Sequence, residues 1–222
     1  MGFIRSAEPQ LVSPSMSGMY WNGPNSQKPE YIEYGQSYSM EGQDRWVLNL
    51  LSGKKNGTYV EIGAGHPRHG NNTWLLEQEF NWEGMSVEID AELVDVFNSE
   101  RRNPCMNADA LGFSYEAYFE NNHFPKQIDY LQIDVDDRPP AANLLALIAL
   151  PLSRYRFSAM TIEHGCVTDY RMEGLRDAQR LILTSLGYRL IVQGVNEDWW
   201  IDPQNVPYEK YGFMFSMGRI FG

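Results

Sequence analysis

Thr58-Tyr59-Val60-Glu61-Ile62-Gly63-Ala64-Gly65 is the stretch that decides the fold. A short run rich in β-branched and aromatic residues stops at two closely spaced glycines, the pattern of a buried strand ending in a tight turn. Upstream, Lys54-Lys55-Asn56-Gly57 reads as a turn, and Trp46, Val47, Leu50 and Leu51 lie at helical spacing. Downstream, a helix is predicted over 73–80, capped by Asn72 or Asn71. The alternation then continues: a strand at 85–89, a helix at 91–100, a short strand at 105–108 and a buried strand at 129–135. Pro139 and Pro140 open a helix through Leu144, Leu145 and Leu147, followed by a strand at 157–163 and an amphipathic helix at 172–185. Gly187 ends that helix, and 188–193 and 199–201 form a final strand pair around Asn196-Glu197-Asp198.

Strands alternating with helices of this length call for a parallel sheet covered on both faces, and the short closing link makes its pair antiparallel. The expectation is an α/β, doubly wound, mostly parallel seven-stranded sheet with one antiparallel strand. Residues 1–39 are rich in Ser, Pro, Gly, Asn, Met and Tyr without apolar periodicity, and read as an irregular N-terminal arm or lid. Residues 40–222 read as one domain.

The chain carries 18 Lys and Arg against 29 Asp and Glu, a formal net charge of −11. Such a balance disfavours nucleic acid and anionic lipid, which are bound chiefly through Lys and Arg. No run approaches the roughly 20 apolar residues of a membrane span, and the N-terminus has no secretory pattern. Cys105 and Cys166 give no disulfide framework. A cytoplasmic protein is expected, and association of identical chains stays open.

In an open α/β sheet the ligand lies outside the carboxyl ends of the strands. Gly63, Ala64 and Gly65 let the backbone approach a ligand, but Arg68 stands where a dinucleotide fingerprint needs its third glycine, and His66 and Pro67 widen the loop. Glu88, one βαβ unit further on, offers two carboxylate oxygens to a ribose diol; Asp90 is the better helix cap. Asp109 is positioned for an adenine amino group, with the Ala110 N–H facing the ring. Asp134 ends the fourth strand and Glu163-His164 the fifth; with Glu61 they collect negative potential at one mouth of the sheet. Carboxylates suit a ligand that is cationic and free of phosphate, which points to S-adenosylmethionine.

Taken together, Tyr38 to Asp44, Gly57 to Ala64, Asn72-Thr73, Leu75 to Glu77, Trp82-Glu83-Gly84, Val87-Glu88 and Ile128 to Val135 resemble the FkbM-like methyltransferases, in order over 37–203. The resemblance implies the Rossmann-like class I methyltransferase fold and methyl transfer to hydroxyls of sugars or other small molecules. It implies that Glu61, Gly63 and Gly65 surround the methionine part of the cofactor, with Glu88 on its ribose and Asp109 near its adenine; Ile89, next to Glu88, is taken with the cofactor-binding residues. The fourth strand departs from the family: Asp134-Val135-Asp136-Asp137 stands where Asp-Val-Glu-Gly is usual.

Hydroxyl methylation needs a positioned base. His164 is the first candidate, its ordinary pKa being nearest neutrality, and Asp134 the second. Asp134, Asp136, Glu163 and His164 are also ligand types for a divalent cation such as Mg²⁺ or Ca²⁺. A Cys166–His164 nucleophile, a His66/His69 metal pair, a nucleic-acid amino methyltransferase (against which stands Asp137-Arg138-Pro139-Pro140-Ala141), a nicotinamide oxidoreductase and a catalytically silent fold are the alternatives.

Overall fold

The computed structural model describes residues 32–135, 140–166, 170–207 and 209–211. Expectations placed on the arm up to residue 31, on Asp136, Asp137 and on Pro139 lie outside them. β1 (Thr58–Ile62) is the central strand, buried on both faces from Tyr59 onward as its apolar run requires. It pairs in parallel with β2 (Glu83–Glu88) on one side and β4 (Gln127–Ile133) on the other. β2 carries β3 (Cys105–Asn107) and β4 carries β5 (Arg156–Glu163), both parallel. β7 (Glu197–Ile201) runs antiparallel to β5, and β6 (Arg189–Gln193) pairs antiparallel with β7 at the edge. The order is β3-β2-β1-β4-β5-β7-β6. This is the doubly wound seven-stranded sheet expected, with its one reversed strand.

Successive side chains point to opposite faces. Val60, Leu131, Phe157, Met160 and Trp200 pack with α4 (Tyr115–Asn121), α5 (Ala142–Ala149) and α6 (Glu173–Ser185). Tyr59, Tyr130, Ala159 and Trp199 pack on the other face with α1 (Gln43–Leu50) and α2 (Trp74–Phe80). α3 (Ala91–Glu100) closes a smaller cluster of Ala64, Val94, Phe97 and Cys105.

Two local expectations change, and a third is resolved between its two alternatives. α4 is an additional helix, short and aromatic. Asn196-Glu197-Asp198 is not the closing turn: the chain reverses at Gly194–Asn196, where the Gly194 N–H bonds the Glu197 carbonyl at 2.9 Å, and Glu197 and Asp198 belong to β7. Of the two asparagines considered as cap for α2, Asn71 does the work, its Oδ1 accepting from the N–H groups of Thr73 (3.0 Å) and Trp74 (2.8 Å).

Candidate active site at the sheet's carboxyl edge

The chain winds outward through β2 and β3, then returns past β1 to lay down β4 and β5, so the switch point lies between β1 and β4. There Gly63 has φ +80°, and a Cβ on it would meet the Asp134 carbonyl oxygen at 1.8 Å. Only glycine satisfies both the dihedral and the contact. The turn is fixed by Val87, whose carbonyl accepts from the N–H groups of Gly63 (2.9 Å) and Ala64 (3.2 Å). Asp134 is fixed by its N–H bond to the Ile62 carbonyl at 2.9 Å. Gly65, also at positive φ, has open space where a Cβ would stand.

Glu61 is 1 % exposed, and its carboxylate is taken up by Ser86 Oγ (2.7 Å), Thr73 Oγ1 (3.1 Å) and Asn71 Nδ2 (3.1 Å). Burial pushes its pKa up, against the pull of Arg101. It braces the loop from beneath. Arg101 extends that brace: its guanidinium bonds Glu77, the Pro67 carbonyl, Asn71, Thr73 and Tyr59. The loop that sequence shows as merely wide is thus tied down by a buried polar network.

Glu88 ends β2 and turns toward this loop. Its Oε2 accepts the Gly65 N–H and its Oε1 the Asp90 N–H, each at 2.9 Å. A carboxylate has about four lone-pair sites, so two backbone bonds fix its orientation and leave capacity for a diol. Asp90 caps α3 by accepting from Glu92 and Leu93 N–H, as its type predicts. Beside Glu88, Ile89 is 70 % exposed, an apolar side chain at the rim of the same mouth. Asp109 is exposed after β3, holding the Leu111 N–H at 2.9 Å; Ala110 is buried, its carbonyl accepting from Tyr115 OH. Glu88 ends β2, Ile89 follows it and Asp109 follows β3, so all three stand at the carboxyl edge beside the glycine loop that follows β1.

The other side is built by β4, β5 and β7. Asp134 is exposed at the end of β4. Glu163 and His164, being consecutive, leave the sheet on opposite faces. The imidazole of His164 is 2 % exposed and faces Asp198 at 3.8 Å, while Arg180 of α6 clasps that Asp at 2.7 and 2.9 Å. Burial lowers the His164 pKa, with Asp198 opposing. The ring belongs to the α6 face, away from Glu61 and Glu163. This separation also divides the expected cation ligands: no three His, Cys, Asp or Glu side chains among the described residues group to hold a metal, and Asp136 lies outside them. Cys166 offers His164 its backbone N–H at 3.3 Å, and burial raises its thiol pKa, so no activated Cys–His pair exists here. His66 Nδ1 accepts from Arg68 and His69 N–H, a loop-shaping role.

Sequence reasoning missed Glu197. It stands opposite Glu163 in the β5–β7 register, and its Oε1 accepts from Gln43 Nε2 (2.7 Å) and Trp199 Nε1 (2.5 Å). Burial, with Asp134 and Glu41 nearby, pushes its pKa up to about 7. The available signal was the apolar Trp199-Trp200-Ile201 run, which extends the strand back through Glu197.

No protein-family model matches the chain, and no curated protein matches it in sequence. Among solved structures, it is similar to human methyltransferase-like protein 13 in complex with SAH: 17 % identity over 80 % of this chain and 89 % of that one, TM-score 0.49. It is similar to an O-methyltransferase from Bacillus cereus in complex with SAH, at 19 % identity over 75 % and 81 %, TM-score 0.46. A TehB-like SAM-dependent methyltransferase from Corynebacterium glutamicum matches at 12 % over 76 % and 90 %, TM-score 0.47. These are likenesses of chain path at low identity, and no residue role is taken from them.

Proposed function

We propose that the chain binds S-adenosylmethionine across the carboxyl ends of β1 and β2 and transfers its methyl group to a hydroxyl of a sugar, glycan or other small molecule. One observation carries the reading: Glu88 is held by the Gly65 and Asp90 N–H groups at the mouth of a turn that only glycine can make. That pairing offers acceptors to a ribose diol and close backbone to the rest of the ligand, without a phosphate cradle. Gly63, Ala64 and Gly65 would border the methionine part, Glu88 the ribose, and Ile89, Asp109 and Ala110 the adenine, with Asp134 toward the methyl group. The cofactor supplies an electrophilic methyl carbon on a sulfonium. The chain's contribution is to hold an acceptor in line with that carbon, to exclude water and to receive a proton. The resemblance to FkbM-like enzymes supports hydroxyl as the acceptor class.

Calorimetric titration with S-adenosylmethionine tests the reading. Glu88→Ala is expected to weaken binding by about tenfold or more, the worth of charged hydrogen bonds to the diol. Equal affinity in both proteins, or no binding to the unmodified protein, would overturn it.

A further inference from the structure

At the carboxyl edge, the register sets Glu163 opposite Glu197, with Asp134 following β4 and Gly63 following β1. One row down lie Glu61, Gln132, Thr161 and Trp199, on the face that packs against α1. Gln132 is 4 % exposed, and its Oε1 has no hydrogen-bond partner. A buried acceptor left unmet costs free energy unless a ligand or water donates to it. Of its neighbours, Thr161 Oγ1 shares a 2.6 Å hydrogen bond with Tyr130 OH, and Trp199 Nε1 donates to Glu197. Both donors to Glu197 reach the same oxygen, Oε1. The groups facing Glu197 are Glu41 ahead of α1, Gln43 on α1, Asp134 on β4, and Glu163 and Trp199 across and along the strand pair. The charged groups named here are all carboxylates, so a positive ligand beside them would ease the ionisation of Glu197.

Resting on the methyltransferase reading, we infer that Glu197 is the proton acceptor for the transfer and that its ionisation is coupled to the positive charge of the bound sulfonium. In the step, the acceptor's O–H proton passes to the Glu197 carboxylate. The oxygen electron pair forms the O–CH3 bond, and the C–S pair returns to sulfur as a neutral thioether. Charge balances within the site: carboxylate and sulfonium before, carboxylic acid and thioether after. A sulfonium favours ionised Glu197, and its loss lets Glu197 keep the proton. Gln43 and Trp199 are positioning residues that fix which oxygen is presented.

The coupling is readable without an acceptor substrate. S-adenosylmethionine and S-adenosylhomocysteine differ by a methyl group and its charge, so each is titrated by calorimetry in two buffers of different ionisation enthalpy. At pH 7 the unmodified protein should release up to about half a proton more with the sulfonium than with the thioether, and Glu197→Gln should abolish the difference. In the unmodified protein alone, preference for the sulfonium should rise about fivefold or more between pH 6 and 8, which keeps the test sound if the variant folds poorly. Equal proton release for the two ligands, or a difference that persists in Glu197→Gln, would overturn the assignment. If neither ligand binds, the methyltransferase reading itself falls, and this inference with it.

Discussion

Two side chains and one missing Cβ set the character of the site. Gly63→Ala must place a methyl group 1.8 Å from the Asp134 carbonyl while holding φ +80°, whereas Gly65→Ala at φ +56° meets nothing. The second change should cost about 1–2 kcal/mol, the left-handed penalty alone. The first should cost clearly more, because backbone of β4 has to move; urea unfolding of the two variants measures the contrast. Glu197 makes a separate prediction about pH. Its folded pKa, about 7, lies above the ordinary carboxylate value, so the native state binds more protons than the unfolded chain in the interval between them. Its contribution to stability is therefore complete at acid pH and lost as pH rises toward 7. Glu197→Gln should accordingly be more stable than the unmodified protein at pH 8, by about 1–3 kcal/mol, with the gain vanishing near pH 4. An equal effect at both pH values would show that packing, not ionisation, governs that position. His164 acts in the opposite sense: burial lowers its pKa, so stability falls as pH drops below its ordinary value near 6.5.

The link between α2, α3 and the glycine loop is a buried ion pair. Arg101 and Glu77 are 0 % and 1 % exposed at 2.9 Å, and Tyr59, Asn71, Thr73 and Asn103 fill the remaining bonds. Removing one partner strands a buried charge, which costs about 3–5 kcal/mol. Arg101→Leu should therefore lower the unfolding free energy by that order and also weaken cofactor binding, since Arg101 holds Pro67 and Asn71 in the loop; thermal melts and ligand titration report the two effects. None of this network was visible in the sequence, because the bonds that join Tyr59, Glu77, Arg101 and Asn103 span 18 to 44 positions and form only after folding. What was visible had local causes. β1 and its glycines announce themselves by an apolar run that ends in residues tolerant of positive φ. Asp90 declares itself a cap, leaving Glu88 for another task. α4, by contrast, carries aromatic residues of modest helix propensity, and forms because Tyr115 and Phe119 are buried against the sheet. Glu197 was hidden by its neighbour: Asn196 suggested a turn, but pairing with β5 drew Glu197 into strand, opposite Glu163 at the sheet's carboxyl edge. His164 sits at the strand end that the sequence indicates, yet alternation along the strand carries its ring to the α6 face.

The sheet orders these devices in space and in stability. Its middle strands are buried on both faces: β1 and β4 contain Tyr59, Val60, Ile62, Tyr130 and Leu131 at 0 % exposure. The two apolar cores meet through them, so neither core can open without disrupting both strands. β6 lies at the edge, exposed at Arg189 and Gln193, with an irregular register between Leu190 and Val192. Cooperative opening starts where few buried contacts are lost. Amides of β6 are therefore expected to exchange with solvent by partial opening, well before those of β1 and β4, which should exchange only on global unfolding. The distinction has a functional corollary. Glu88 and Gly63 hang on the β2–β1–β4 centre, whereas Glu197 hangs on β7, which is tied on one side only to the weak edge. Cofactor binding should survive mild denaturant that already frees β6, while the proton-release difference between sulfonium and thioether ligands should decline with β6 protection. Hydrogen exchange and calorimetry over one urea series can follow both. Simultaneous loss of cofactor binding and edge-strand protection would refute a sheet whose binding centre outlasts its proton-accepting margin.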